Sequence, residues 1–175
     1  MATENSLYIP LTRFIFRENG EFIKRTTRDL FETGRSVVFG VPGAFTPTCT
    51  SNQVPEFESA YDDLIAAGVD EVYCVSVNDP FVMNAWKESM GIEKVKFIPD
   101  GNGFFTRQIS KNVFKSPQGL GIRSWRYAGV VSEQQFEVCY SEEGKEDNCL
   151  QDPYELTKPE IILKYLKNNP RKPIV

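Results

Sequence analysis

An α/β domain, built on a central mixed sheet with helices on both faces and an N-terminal β-hairpin, is the fold class this 175-residue sequence predicts. Three observations predict it. Apolar β-rich runs at 36–41 and 72–77 are each followed by a stretch of helical spacing, the strand–helix–strand pattern of a sheet with parallel neighbours. Asn19-Gly20 separates two short apolar runs, a strong hairpin signal. Late in the chain, 124–131 and 135–140 form a strand pair that precedes a last helix.

The elements follow in order. Phe14-Ile15-Phe16 and Glu21-Phe22-Ile23 flank the hairpin turn. Residues 26–30 carry a short helical turn, and 36–41 form a central strand. Val54, Phe57, Ala60, Tyr61, Leu64 and Ile65 keep helical spacing to about residue 67, where Gly68 closes the helix. A buried strand at 72–77 leads to a helix at 81–90 with Val82, Ala85 and Trp86 inward. Residues 94–98 form a strand, and Asp100-Gly101-Asn102-Gly103 a turn. Thr157-Lys158-Pro159-Glu160 reads as a capping box opening a helix through 166. The whole of 1–175 is read as one domain, a length that suits a full core, with 170–175 an extended tail that need not be ordered.

The functional signal is concentrated in Pro42-Gly43-Ala44-Phe45-Thr46-Pro47-Thr48-Cys49, directly after the central strand. Thr46 is placed to act as N-cap and Pro47 as the first helical residue, where a missing N–H costs nothing. Cys49 then falls in the first turn, where unpaired N–H groups and the helix dipole favour a thiolate, the nucleophilic form. A cysteine after a turn is more often a small apolar residue, but here turn, cap and thiol fit one design. The chain contains no histidine, which removes Cys-His proteases, Ser-His-Asp hydrolases and His-ligand metal sites together. A reactive Cys49 must then rely on the helix dipole, hydroxyls and cations, which suits redox chemistry better than acyl transfer.

Pro-x-x-x-Thr-x-x-Cys resembles the active-site signature of the peroxiredoxins, and the longer Pro42–Cys49 block is similar to the peroxiredoxin-5 (type II) subfamily. The resemblance continues through Val75-Ser76-Val77-Asn78-Asp79-Pro80-Phe81-Val82-Met83-Asn84-Ala85-Trp86, through Phe97-Ile98-Pro99-Asp100-Gly101-Asn102-Gly103 and through Arg123-Ser124-Trp125-Arg126-Tyr127. It spans about 8–166 and is nearest to the peroxiredoxin half of bacterial peroxiredoxin–glutaredoxin hybrids. It implies a thioredoxin-like fold and a thiol peroxidase acting on hydrogen peroxide and small organic hydroperoxides. Cys49 would be the peroxidatic cysteine, oxidised to a sulfenic acid. Thr46 would hydrogen-bond thiolate and peroxide, Pro42 would shield the sulfur, and Arg126, in the late strand, would stabilise the thiolate and the leaving oxygen. Arg123 supports the site or pairs with an acidic neighbour. No cofactor or metal is implied, only an external thiol reductant, glutathione with glutaredoxin or thioredoxin, and a homodimer.

Pro55 lies six residues after Cys49 and is expected to kink the helix, since it cannot donate to the Ser51 carbonyl. Gln53 stands where the subfamily commonly has histidine; it hydrogen-bonds but carries no charge. The stretch 107–115 also departs from the family, which is richer there in Leu, Met and Gly.

Four cysteines without C-x-x-C spacing make neither a disulfide framework nor a zinc ribbon. Cys74 reads as core packing in the 72–77 strand, and Cys139 is assigned to no particular face of its strand. Cys149 follows an acidic loop and is expected to be exposed; it is the candidate resolving cysteine, Cys139 being the less favoured one. The acidic neighbours oppose a thiolate there. Net charge is −4, so there is no basic patch for nucleic acid and no polybasic membrane anchor. Residues 1–6 lack the charged and apolar regions of a signal peptide, no apolar run is long enough to span a membrane, and a cytoplasmic setting is expected. Two other readings remain: a peroxide sensor that passes oxidation to a partner protein, and a non-catalytic thioredoxin-like interaction module.

Overall fold

The computed structural model describes residues 7–173; the expectations for 1–6 and for the end of the tail at 174–175 lie outside the described residues. Strands β1 (Leu7–Tyr8), β4 (Arg35–Val41), β5 (Glu71–Ser76), β6 (Lys96–Pro99), β9 (Tyr127–Ser132) and β10 (Gln135–Ser141) form one sheet in the order β1-β10-β9-β4-β5-β6. The β4–β5 and β5–β6 pairs are parallel and the other three antiparallel, so the sheet is mixed, as expected. β4 is central and buried along its full length. Its alternate side chains feed two cores. Val37, Phe39 and Val41 face α2 (Val54–Ala66), α3 (Pro80–Met90) and α5 (Pro159–Asn168). Val38 faces the opposite core, with Phe31 of α1 (Thr27–Phe31) and Phe105 and Ile109 at α4 (Phe104–Gln108). A continuous apolar run covered on both faces is the usual sequence of such a strand. The fold is thioredoxin-like, α/β, with helices on both faces.

The N-terminal hairpin forms as expected: β2 (Arg13–Glu18) pairs with β3 (Glu21–Thr26) around Asn19 and Gly20, both at positive φ. Thr26 caps α1 in a full capping box with Asp29. The second proposed capping box does not form. Lys158 is the N-cap of α5 with no side-chain bond, and Thr157 Oγ1 donates instead to Glu142 Oε1 at 2.8 Å. The same carboxylate oxygen accepts the backbone N–H groups of Glu155, Leu156 and Thr157, and this buried cluster of bonds outcompetes a solvent-facing cap.

Two further expectations are corrected. Ala85 is exposed and Met83 is buried beside Trp86, because α3 starts at Pro80 under an Asp79 N-cap and its core stripe falls one turn position away. The strand expected over 124–131 is two strands: β8 (Gly121–Ser124) pairs with β7 (Asn112–Lys115) in a separate ribbon, and β9 begins only at Tyr127. Helix α4 follows the expected turn at 100–103, where Asp100 accepts from the N–H groups of Phe105 and Thr106.

Gly40 lies opposite Tyr127 in the β4–β9 pair, and a methyl group on it would sit 2.1 Å from the buried Tyr127 ring. The ring is walled into the core and cannot retreat. Gly40→Ala is therefore expected to cost about 3 kcal/mol or more of stability, the upper range for overpacking, measured as a lower urea midpoint at unchanged slope.

Candidate active site

Cys49 sits where β4 hands the chain to the helical segment, at the carboxyl end of the central parallel strands. The turn between them is held from the side. Ala44 N–H donates to Asn78 Oδ1 at 3.0 Å, and Ser76 Oγ donates to the same oxygen at 2.6 Å. Phe45 occupies the left-handed region at φ 62° and its ring projects into solvent. Pro42 is buried at the start of the turn. Thr46 does not cap with its side chain as expected: Oγ1 donates to the Gly43 carbonyl at 2.6 Å. Its own carbonyl still accepts the Thr50 N–H at 3.1 Å, so Thr46 starts the helix through its backbone, and the hydroxyl oxygen keeps its lone pairs for another donor.

After this first α-turn the helix widens. Cys49–Gln53 is a π-turn, with the Val54 N–H bonded to the Cys49 carbonyl. Pro55 lies just beyond it, at the start of α2, so the irregularity expected at the proline is present one turn earlier as a widened turn. Trp86 Nε1 donates to Thr50 Oγ1 at 3.1 Å and ties the π-turn to α3.

The Cys49 side chain is fully buried, and Arg126 is the cation hydrogen-bonded to it. Arg126 Nη1 donates to Cys49 Sγ at 3.5 Å. Arg126 is 1% exposed, and it lies in the break between β8 and β9 rather than within a strand as expected. That break frees its guanidinium from the alternation of a sheet face and turns it inward. Each of its nitrogens also has a protein partner: Nη1 donates to Gln53 Oε1 as well, Nη2 to Asp152 Oδ1 and Nε to the Pro153 carbonyl at 3.1 Å. Burial works against the charge, but the Cys49 sulfur and the Asp152 carboxylate outweigh it and hold Arg126 still more firmly protonated. The Tyr154 ring lies 5.7 Å from the guanidinium, and its hydroxyl donates to Glu56 Oε2 at 2.6 Å. Burial, with Glu56 next, pushes that phenol far up.

Gln53, at the position of the family histidine, is buried on the same guanidinium, and its Nε2 has no hydrogen-bond partner. Arg123 is half-buried against the turn, donating from Nε to the Leu120 carbonyl at 3.0 Å and from Nη1 to Asn78 Oδ1 at 3.3 Å. Neither partner is the acidic neighbour that the sequence left open.

The structure brings Cys49, Gln53 and Arg126 into contact, with Pro42 and Thr46 on the turn that leads to Cys49 and Arg123 against that turn. Among the described residues Cys149 is hydrogen-bonded to none of them. None of the four cysteines is joined in a disulfide. Cys149 is partly exposed; its Sγ donates to the Gln151 carbonyl at 3.7 Å, and its own carbonyl accepts from Gln118. Cys74 is in the core as expected, and burial pushes its thiol well above the usual range. Cys139 is buried in the opposite core. Sequence reasoning missed Asn78 and Asp152. Asn78 had a signal, an Asn-Asp-Pro directly after a parallel strand, where α/β sheets build their sites. Asp152 had none. Among the described residues no cluster of three potential metal ligands is present, and no helix is long and apolar enough to cross a membrane.

The chain matches the Redoxin family model over residues 13–155. It is 52% identical to Peroxiredoxin y4vD of Sinorhizobium fredii over 82% of this chain and 76% of that protein. It is 39% identical to Hybrid peroxiredoxin hyPrx5 of Haemophilus influenzae over 95% of this chain and 67% of the relative. The crystal structure of the Plasmodium falciparum antioxidant protein, a 1-Cys peroxiredoxin, superposes with a TM-score of 0.90 at 33% identity, covering 95% of this chain and 99% of that one. The chain therefore belongs to the peroxiredoxins, thiol peroxidases, and among them to the peroxiredoxin-5-like type.

Proposed function

We propose that Cys49 is the peroxidatic cysteine of a one-cysteine cycle. The observation that carries this is the buried Arg126 guanidinium 3.5 Å from the Cys49 sulfur, in a chain without histidine. A fixed cation in a dry site stabilises a thiolate and later the oxygen that leaves. The thiolate attacks the terminal peroxide oxygen. An S–O bond forms as the O–O bond breaks, and sulfur gives up two electrons. The released oxygen takes a proton and departs as water or an alcohol, leaving a sulfenic acid. The Thr46 hydroxyl, already donating to Gly43, accepts from the incoming hydroperoxide and orients it. Pro42 keeps bulk water off the sulfur.

A thiol then attacks the sulfenic sulfur and expels water, and a second thiol releases Cys49 from the mixed disulfide. Glutathione with glutaredoxin is the reductant this reading favours over thioredoxin, in a reducing, cytoplasmic setting. The hybrid relative from Haemophilus influenzae and the 1-Cys neighbour support it. So does the placement of the other thiols: Cys74 and Cys139 are buried, and Cys149 is engaged with its own loop.

Intact mass after one equivalent of hydrogen peroxide tests the cycle, on wild type and Cys149→Ser. The expected result is a gain of about 16 Da in both, the mass of one oxygen on Cys49. A loss of about 2 Da in wild type alone would replace this cycle by a Cys49–Cys149 disulfide.

A further inference from the structure

We propose that Arg123 forms an anion-recognising subsite at the mouth of the Cys49 pocket, selecting short peroxides or reducing thiols that carry a carboxylate near the reacting atom. The inference rests on Cys49 being the peroxidatic residue and adds a substrate class to it.

Three observations carry it. The guanidinium lies on the turn that encloses Cys49: a methyl group built on Gly43 would meet Arg123 Nη1 at 2.7 Å and Thr46 Cγ2 at 3.1 Å. Its hydrogen-bond acceptors are neutral, the Leu120 carbonyl and the Asn78 amide oxygen, and Nη2 has no protein acceptor among the described residues. Among the described residues no carboxylate is paired with it; burial works against its charge, and the Cys49 sulfur supports it.

The contrast with Arg126 is chemical. Arg126 is committed to the reacting sulfur and to Asp152, whose carboxylate already balances its charge, with Gln53 and Pro153 on its remaining nitrogens. Arg123 is half-buried and paired with no carboxylate among the described residues, and Nη2 of its planar fork is left as a charged donor for an incoming carboxylate. Asn78 fixes both this guanidinium and the Ala44 N–H, so the subsite and the turn share one anchor.

The test compares monoperoxyphthalate, which carries a carboxylate, with perbenzoic acid, which does not, on wild type, Arg123→Gln and Arg123→Lys. The ratio of the two kcat/KM values is expected to fall about tenfold in Arg123→Gln, the size of one charge-assisted hydrogen bond, with Arg123→Lys between. Reduction of the preformed sulfenic acid by glutathione against 2-mercaptoethanol, in the same variants, shows whether the carboxylate arrives on the reductant instead. If both ratios stay constant across the variants, Arg123 only braces the turn and the subsite is refuted. Phthalate alone, as a ligand that slows iodoacetamide labelling of Cys49 in wild type but not in Arg123→Gln, reads the subsite without turnover. Phthalate protection in a wild-type protein inert to every peroxide would sink the peroxidase assignment of Cys49 while leaving the anion site standing.

Discussion

Cys49→Ser is expected to reduce peroxide turnover to the rate without enzyme, with the folded structure kept. The hydroxyl that replaces the thiol has no base to activate it, because no histidine exists and Arg126 can only donate. Sulfur is also the atom that takes up the oxygen, and serine has no such oxidation step. The substitution is nearly isosteric, and its hydroxyl accepts from Arg126 Nη1 in place of Sγ, so the fold should survive. Hydrogen peroxide consumption, read beside circular dichroism, checks both halves. Residual activity well above background in a folded Cys49→Ser protein would move the chemistry to another thiol.

Arg126→Gln has the next largest expected effect. Losing the cation at the sulfur should lower kcat/KM about 10²- to 10³-fold, the usual cost of removing one preorganised donor from a water-excluded site. Arg126→Lys should not restore it. An ammonium is a point charge and cannot serve Cys49, Gln53, Asp152 and Pro153 together as a fork does. Stability should fall as well, by about 2 kcal/mol, less than for a fully buried pair because Asp152 keeps contact with water. Stopped-flow oxidation of Cys49 and urea unfolding separate the two effects. Equal oxidation rates in wild type and Arg126→Gln would remove the arginine from the mechanism.

Local chemistry made much of this site legible in the sequence. The turn after β4, the buried strand itself and the Asn19-Gly20 hairpin are each decided within a few residues by proline, glycine or an apolar run. The Cys49–Arg126 pairing spans 77 residues and was reachable only through the family resemblance, since no periodicity reports it. What stayed hidden was set by competition across the chain. Thr157 has the spacing of a cap, yet Glu142, fifteen residues back, claims its hydroxyl. Residues 124–131 read as one apolar strand, yet Trp125 Nε1 donates to the Glu142 carbonyl and Arg126 turns to Cys49, splitting it. Asp152 reaches Arg126 from a loop with no regular pattern of its own.

The π-turn at Cys49–Gln53 gives the reactive end of the helix a surplus residue relative to an α-turn. That surplus is slack. Residues 49–53 can rewind or come loose by exchanging the Val54–Cys49 bond, while Val54, Phe57 and Leu64 stay seated in the core. The buried sulfur can thus be presented to a bulky partner at the cost of a local rearrangement, with the rest of the helix acting as a stationary mount.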